Sequence, residues 1–148
     1  MVLSIPWIIL AIILYNVIGF TISAPPPIGL ADGTQIARTA FDSQLFSINM
    51  ISGASWTLTL GDLVTIITLI LLFVELIKAT RTGGSSIVDH ALSTILFVFC
   101  LIEFLLVPQA ATSVFFFILV VTLIDVIAGF SITIRAARRD FGFAGGTE

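Results

Sequence analysis

Apolar residues run almost unbroken through four stretches of the chain, Val2–Ser23, Leu58–Lys78, Ile87–Val107 and Val114–Arg135. Each reaches the roughly 20 residues that carry a helix across about 30 Å of hydrocarbon. Backbone groups in lipid must satisfy one another, so runs this long and apolar are predicted to be helices. The expected spans cover about 3–23, 58–79, 87–107 and 113–135, in one domain over 1–148. Between the first two lies an outer loop, 24–57, and the chain ends in a tail, 136–148. Three prolines, Pro25-Pro26-Pro27, stop the first span, because they cannot continue a helix and favour a stiff extended exit. Residues 28–41 are mixed and polar, with a turn expected at Asp32-Gly33. The pattern then changes to period two. Phe46, Ile48 and Met50 alternate with Ser47 and Asn49, and Trp56, Leu58 and Leu60 alternate with Thr57 and Thr59. Around Ile51-Ser52-Gly53-Ala54 this predicts a β-hairpin over 45–60. Its apolar face, Phe46, Ile48, Trp56 and Leu58, needs cover from the membrane interface, a second sheet or a neighbouring subunit, since an isolated hairpin is marginal in water.

Within the spans the polar residues fall on one stripe each, at steps of three and four. The stripes are Ile9, Ile12, Asn16, Gly19 and Ser23; Asp62, Thr65, Thr68, Leu72, Glu75 and Ala79; Asp89, Ser93, Leu96, Cys100 and Glu103; and Phe115, Ile118, Thr122, Asp125, Gly129 and Ile132. That spacing suits left-handed helix packing with small and polar residues inward. Phe73, Phe97, Phe99, Phe116 and Phe117 then face lipid. Ser86 with Asp89 reads as a capping box for the third span. Pro108 limits its far end, Thr112 or Ser113 caps the fourth, and the glycines of 140–148 predict a loose tail. The fold class is an all-α membrane protein, a four-transmembrane-helix bundle with a β-hairpin in the first extracytoplasmic loop.

Composition agrees: 58% of residues are hydrophobic and only 10% charged, with a mean hydropathy of +1.20, which excludes an ordinary soluble domain. The positions of the basic residues say more than the net charge of −3. Lys78 and Arg81 follow the second span, and Arg135, Arg138 and Arg139 follow the fourth; only Arg38 lies in the outer loop. The positive-inside rule therefore puts both termini and the 78–86 loop in the cytoplasm. The first run resembles no cleaved leader, because no Lys or Arg precedes it and it exceeds the usual apolar core of one. The single cysteine, Cys100, permits no internal disulfide and reads as a membrane-buried structural thiol.

Asn16, Asp62, Glu75, Glu103 and Asp125 are the polar groups that lipid should reject. A rise of about 1.5 Å per residue puts Asp62 and Glu103 near the outer mouth, Asp125 near mid-membrane with Thr68, and Glu75 and His90 near the inner surface. Intramembrane acids are candidates for function by default. Each also has a structural reading: Asp62 an N-cap after Gly61, Glu75 an ion pair with Lys78 or Arg81, His90 a polar interface residue. Asp125 must be protonated, face a wet cavity, or bond to Thr68, Thr122 or Asn16. One histidine and one cysteine make a poor haem or metal set, and a pigment ligand is expected deeper than His90. No phosphate loop, GxSxG elbow, voltage-sensor arginine repeat or GxxxG pair occurs. No catalytic residue, cofactor, metal or nucleic acid is expected. The terminal arginines read as a topology signal ahead of a site for anionic lipid heads.

The run 45–56, Gly61-Asp62, residues 78–83, Ile87-Val88-Asp89-His90, residues 103–109 and Arg138-Arg139-Asp140 together resemble small uncharacterised four-span inner-membrane proteins of alphaproteobacteria. The resemblance covers most of the chain from Leu45 onward and implies the bacterial cytoplasmic (inner) membrane, with no activity attached. The order of elements is also similar to claudin-like proteins, but their paired outer-loop cysteines are missing here, so that likeness is architectural.

Two functions follow as expectations. The first is a non-enzymatic accessory or scaffold subunit that self-associates or packs in a larger membrane complex, with Phe46, Ile48, Trp56 and Leu58 at the contact. The second is a proton or small-cation pathway along Asp62, Glu103, Asp125 and Glu75.

Overall fold

The computed structural model describes residues 5–22, 33–80 and 86–143. In chain order the elements are α1 (Ile9–Ile22), α2 (Gly33–Phe41), β1 (Gln44–Asn49), β2 (Ser55–Thr59), α3 (Leu60–Ala79), α4 (Ser86–Leu106), a 3₁₀ turn (Pro108–Ala110) and α5 (Ser113–Phe143). The proline run 25–27 and the Arg81–Ser85 part of the basic loop lie outside the described residues, as do the side chains of Ser86, Arg135, Arg138 and Arg139.

Three helices, α3, α4 and α5, are long and apolar enough to cross a membrane. α1 is shorter than its apolar run, at 14 residues, or about 21 Å. Its entry explains part of the difference: Pro6, Trp7 and Ile8 form tight turns whose carbonyls accept from Ile9, Leu10 and Ala11, so winding begins at Pro6, which has no N–H to donate. The fourth helix departs the other way. α5 continues for 31 residues to Phe143, through the basic cluster and past residue 135, and so takes in much of the expected loose tail.

α5 is the central helix, packed along both α4 and α3, while α1 leans on α2 and α3. The stripes that carry the polar residues turn largely inward. Thr68, Leu72 and Glu75 on α3, Ser93, Cys100 and Glu103 on α4, and Phe115, Ile118, Thr122 and Asp125 on α5 are all buried. At and just before α1 the buried residues are Ile8, Ala11, Ile12, Tyr15 and Gly19, so Ile12 and Gly19 of the expected stripe face inward while Asn16 is half-buried and Tyr15 beside it is buried. Phe73, Phe99, Phe116 and Phe117 face outward; Phe97 instead packs against the core.

The segment before the hairpin contains a helix, α2, where a mixed loop was expected. Ala37, Ala40 and Phe41 share one buried face, the i, i+3, i+4 spacing of a short amphipathic helix. The hairpin itself forms over nearly the expected residues. Its antiparallel register pairs Phe46 with Leu58 and Ile48 with Trp56, and Gly53 takes a φ of 84° at the turn, where a side chain would be strained. β2 then runs directly into α3. Thr59, not Asp62, is the N-cap: its hydroxyl accepts from the Asp62 N–H at 3.1 Å, while Asp62 Oδ2 accepts from the Thr59 N–H at 2.9 Å. Asp62 is thus the N3 carboxylate of a reciprocal capping box. The strand-to-helix junction also corrects the start of the second span from 58 to 60.

Candidate functional site

The polar groups of the bundle gather into two separate clusters, one at the hairpin end and one at the opposite end. At the hairpin end Tyr15 is fully buried. Its ring stacks on Phe41 at 4.4 Å and meets Phe115 edge-on at 4.9 Å. Its hydroxyl donates to the Gln109 carbonyl at 2.8 Å and shares a hydrogen bond of 2.6 Å with Thr112 Oγ1. Thr112 in turn accepts from the Phe115 N–H at 3.2 Å and so caps α5. Tyr15 therefore ties α1 to α2 and to the α4–α5 connection in one place. Next along α1, the Asn16 side chain is within hydrogen-bonding reach of Glu103 on α4. Glu103 is 9% exposed, and its Oε2 has no hydrogen-bond partner. Cys100, one turn earlier on α4, is fully buried in the same core.

At the other end Glu75 joins three elements. Its Oε1 pairs with Lys78 Nζ at 2.7 Å, and its Oε2 accepts from the Trp7 N–H at 2.9 Å. Lys78 donates onward to the Ile5 carbonyl at 3.2 Å. The ion pair expected between Glu75 and Lys78 is present, with a further role: the carboxylate sits at the start of α1, where an anion is favoured by the free N–H groups of a helix. Asp125, on the adjoining stretch of α5, is buried with Glu75, Lys78 and His90 near it and the Ser93 hydroxyl of α4 in reach. None of its expected partners bonds it. The Thr68 hydroxyl donates to Val64 O and that of Thr122 to Leu119 O, each within its own helix, a habit of threonine in apolar helices. Asn16 is turned to Glu103.

His90 is buried within the bundle, in the first turns of α4. Its ring fits a notch above Gly129, where a Cβ would collide with Nδ1 and Cε1 of the imidazole, and it lies 5.9 Å from the Phe130 ring. Gly129 therefore serves helix approach between α4 and α5. Among the described residues no three His, Cys, Asp or Glu side chains group to hold a metal.

The acids expected to form one ladder are thus divided. Asp62 is exposed and engaged in its own capping box, Glu103 belongs to the hairpin-end cluster, and Asp125 and Glu75 share the other.

The remaining candidate is the hairpin face. Phe46, Ile48 and Trp56 are each about half exposed, at 48%, 51% and 47%, and the Phe46 and Trp56 rings pack edge to face at 5.9 Å. Leu58 departs from the expectation of an open contact residue. At 8% exposed it is covered by the chain itself, because it stands at the base of β2, one residue before the α3 N-cap. Met50 and Ile51 at the turn extend the apolar surface. No known protein family, no characterised protein and no solved structure matches the chain.

Proposed function

We propose that the chain is a non-enzymatic accessory or scaffold subunit of the bacterial cytoplasmic (inner) membrane, which self-associates or packs in a larger membrane complex through its hairpin. In this reading α1 is the fourth span: with the turns from Pro6 it reaches about 25 Å, and both termini face the cytoplasm with the basic loop. The resemblance to four-span alphaproteobacterial proteins fits that placement. The observation that carries the reading is the open side of the hairpin. Three large side chains, Phe46, Ile48 and Trp56, line one face of a two-stranded sheet with no described element of the chain over them. Aromatic residues on such a patch are the kind that anchor protein contacts.

Size measurement of the mildly solubilised protein tests this. The wild type is expected to run as an assembly larger than one chain plus its detergent. Ile48→Asp, which puts a charge in the middle of the face, is expected to reduce it to the single chain without loss of helix. A wild type that runs alone argues against a scaffold.

The pathway reading has weaker support, because three of its four acids have local partners: Asp62 in its cap, Glu75 with Lys78 and Trp7, and Asp125 with Ser93. In proteoliposomes, proton flux is expected to stay at background and be equal for wild type, Asp125→Asn and Glu103→Gln. Flux above background that either variant abolishes would replace the scaffold with a pathway.

A further inference from the structure

Two acids of the bundle have a buried carboxylate oxygen without a hydrogen-bond partner, Asp89 in the first turn of α4 and Glu103 near its other end, and Glu103 is the more buried of the two. Asp62 is exposed and accepts two hydrogen bonds from Thr59. Glu75 has an ammonium at 2.7 Å. Asp125 has the Ser93 hydroxyl in reach and Lys78 and His90 close by. Glu103 has the side-chain amide of Asn16 for one part of its carboxyl group, while Oε2 is buried with no partner. The titratable groups facing it are Tyr15 on α1 and Cys100 on its own helix, and neither supplies positive charge. The one salt bridge among the described residues is at the other end of the bundle. An ionised carboxylate with a bare oxygen in such a place costs far more than a neutral acid, whose unpaired oxygen loses only one ordinary hydrogen bond.

We propose that Glu103 is a proton-binding site, holding a proton at neutral pH as a carboxylic acid buried on the inner face of α4 beside Asn16. Protonation removes the charge, leaves the Asn16 contact in place, and lets α4 bury this face in the bundle without a counter-ion. The proposal rests on the membrane reading of the bundle alone. It needs neither the scaffold nor transport, since a proton held in place carries no flux.

Infrared difference spectroscopy of the full chain in lipid at neutral pH tests it. Subtracting the spectrum of Glu103→Gln from that of the wild type is expected to leave the C=O band of a carboxylic acid, which shifts in D₂O. Asn16→Ala is expected to move that band without removing it, because the amide that touches the acid is lost and the proton stays. Asp125→Asn, with its site at the other cluster, is expected to leave the band unchanged. A difference spectrum with carboxylate bands and no acid band overturns the proposal. So does an acid band that survives Glu103→Gln and disappears in Asp125→Asn. If Glu103→Gln fails to accumulate, the wild type and Asn16→Ala pair decides alone: an acid band that moves supports the site, and no acid band, or one that Asn16→Ala leaves in place, refutes it.

Discussion

Truncating Tyr15 to alanine is expected to destabilise the protein by about 3 kcal/mol, the low end for a buried aromatic. The low end applies because lipid is as apolar as the core, so the loss is packing and hydrogen bonding more than transfer from water. The size of the effect follows from position. Tyr15 is fully buried, its ring lies between Phe41 and Phe115, and its hydroxyl reaches Gln109 and Thr112. Removing it opens a cavity where α1, α2 and α5 meet. Tyr15→Phe separates the two contributions: it keeps the ring, strips the hydroxyl from the Gln109 carbonyl, and is expected to cost about 1–2 kcal/mol. Chemical unfolding in mixed micelles, followed by helix content, reads both. Equal midpoints for Tyr15→Ala and Tyr15→Phe would mean that the ring stack contributes nothing.

Glu75→Ala is expected to be nearly as damaging, at about 3 kcal/mol, since removing one partner of a buried ion pair leaves the other charge uncompensated. Lys78 is 12% exposed in the pair, and its long stem can swing the ammonium outward, which keeps the loss from being larger. The Trp7 N–H loses its acceptor at the same time. The consequence is local as well as global. Amide exchange at Trp7 and the first turn of α1 is expected to rise in Glu75→Ala while α5 stays protected. Glu75→Gln, which keeps an oxygen for Trp7, is expected to retain most of the protection. Unchanged exchange at the start of α1 in Glu75→Ala would show that the carboxylate does not hold that end.

The three long apolar helices were legible because lipid leaves a long apolar run no other choice of backbone. The hairpin was legible because a strand sends successive side chains to opposite faces, which is the period-two alternation of 46–50 and 56–60. What escaped had weaker local signals. α2 is nine residues long and rests on two alanines and one phenylalanine, too little apolar surface to stand out until Tyr15 supplies the ring that Phe41 stacks on. The end of α5 could not be read from its glycines, since helix propensity decides little when the preceding turns are already formed. Among the polar residues, spacing placed Glu103, Asp125, Thr68 and Thr122 on inward stripes and found the Glu75–Lys78 pair. It could not give partners across helices. Asp125 meets Ser93 and Glu103 meets Asn16 because of how the helices are rotated and staggered, and a stripe read from one helix contains no information on its neighbour. Tyr15 was missed for the same reason: it lies beside Asn16 in the chain, and only the packing of α2 against α1 turns that side inward. A hint was present, in that the sole tyrosine of the chain stands in an apolar run where its hydroxyl must find a partner.

The claim on which the functional reading stands is that the face of Phe46, Ile48 and Trp56 is covered by another protein in the membrane. Its most direct test is to place one cysteine at Ile48, in a Cys100→Ala background, and to treat intact membranes with a water-soluble maleimide and, separately, with a short bifunctional crosslinker. The scaffold reading predicts slow labelling at that position before solubilisation, fast labelling after dissociation, and a crosslinked species of defined mass. Fast labelling in the intact membrane, with no crosslinked species, would contradict it.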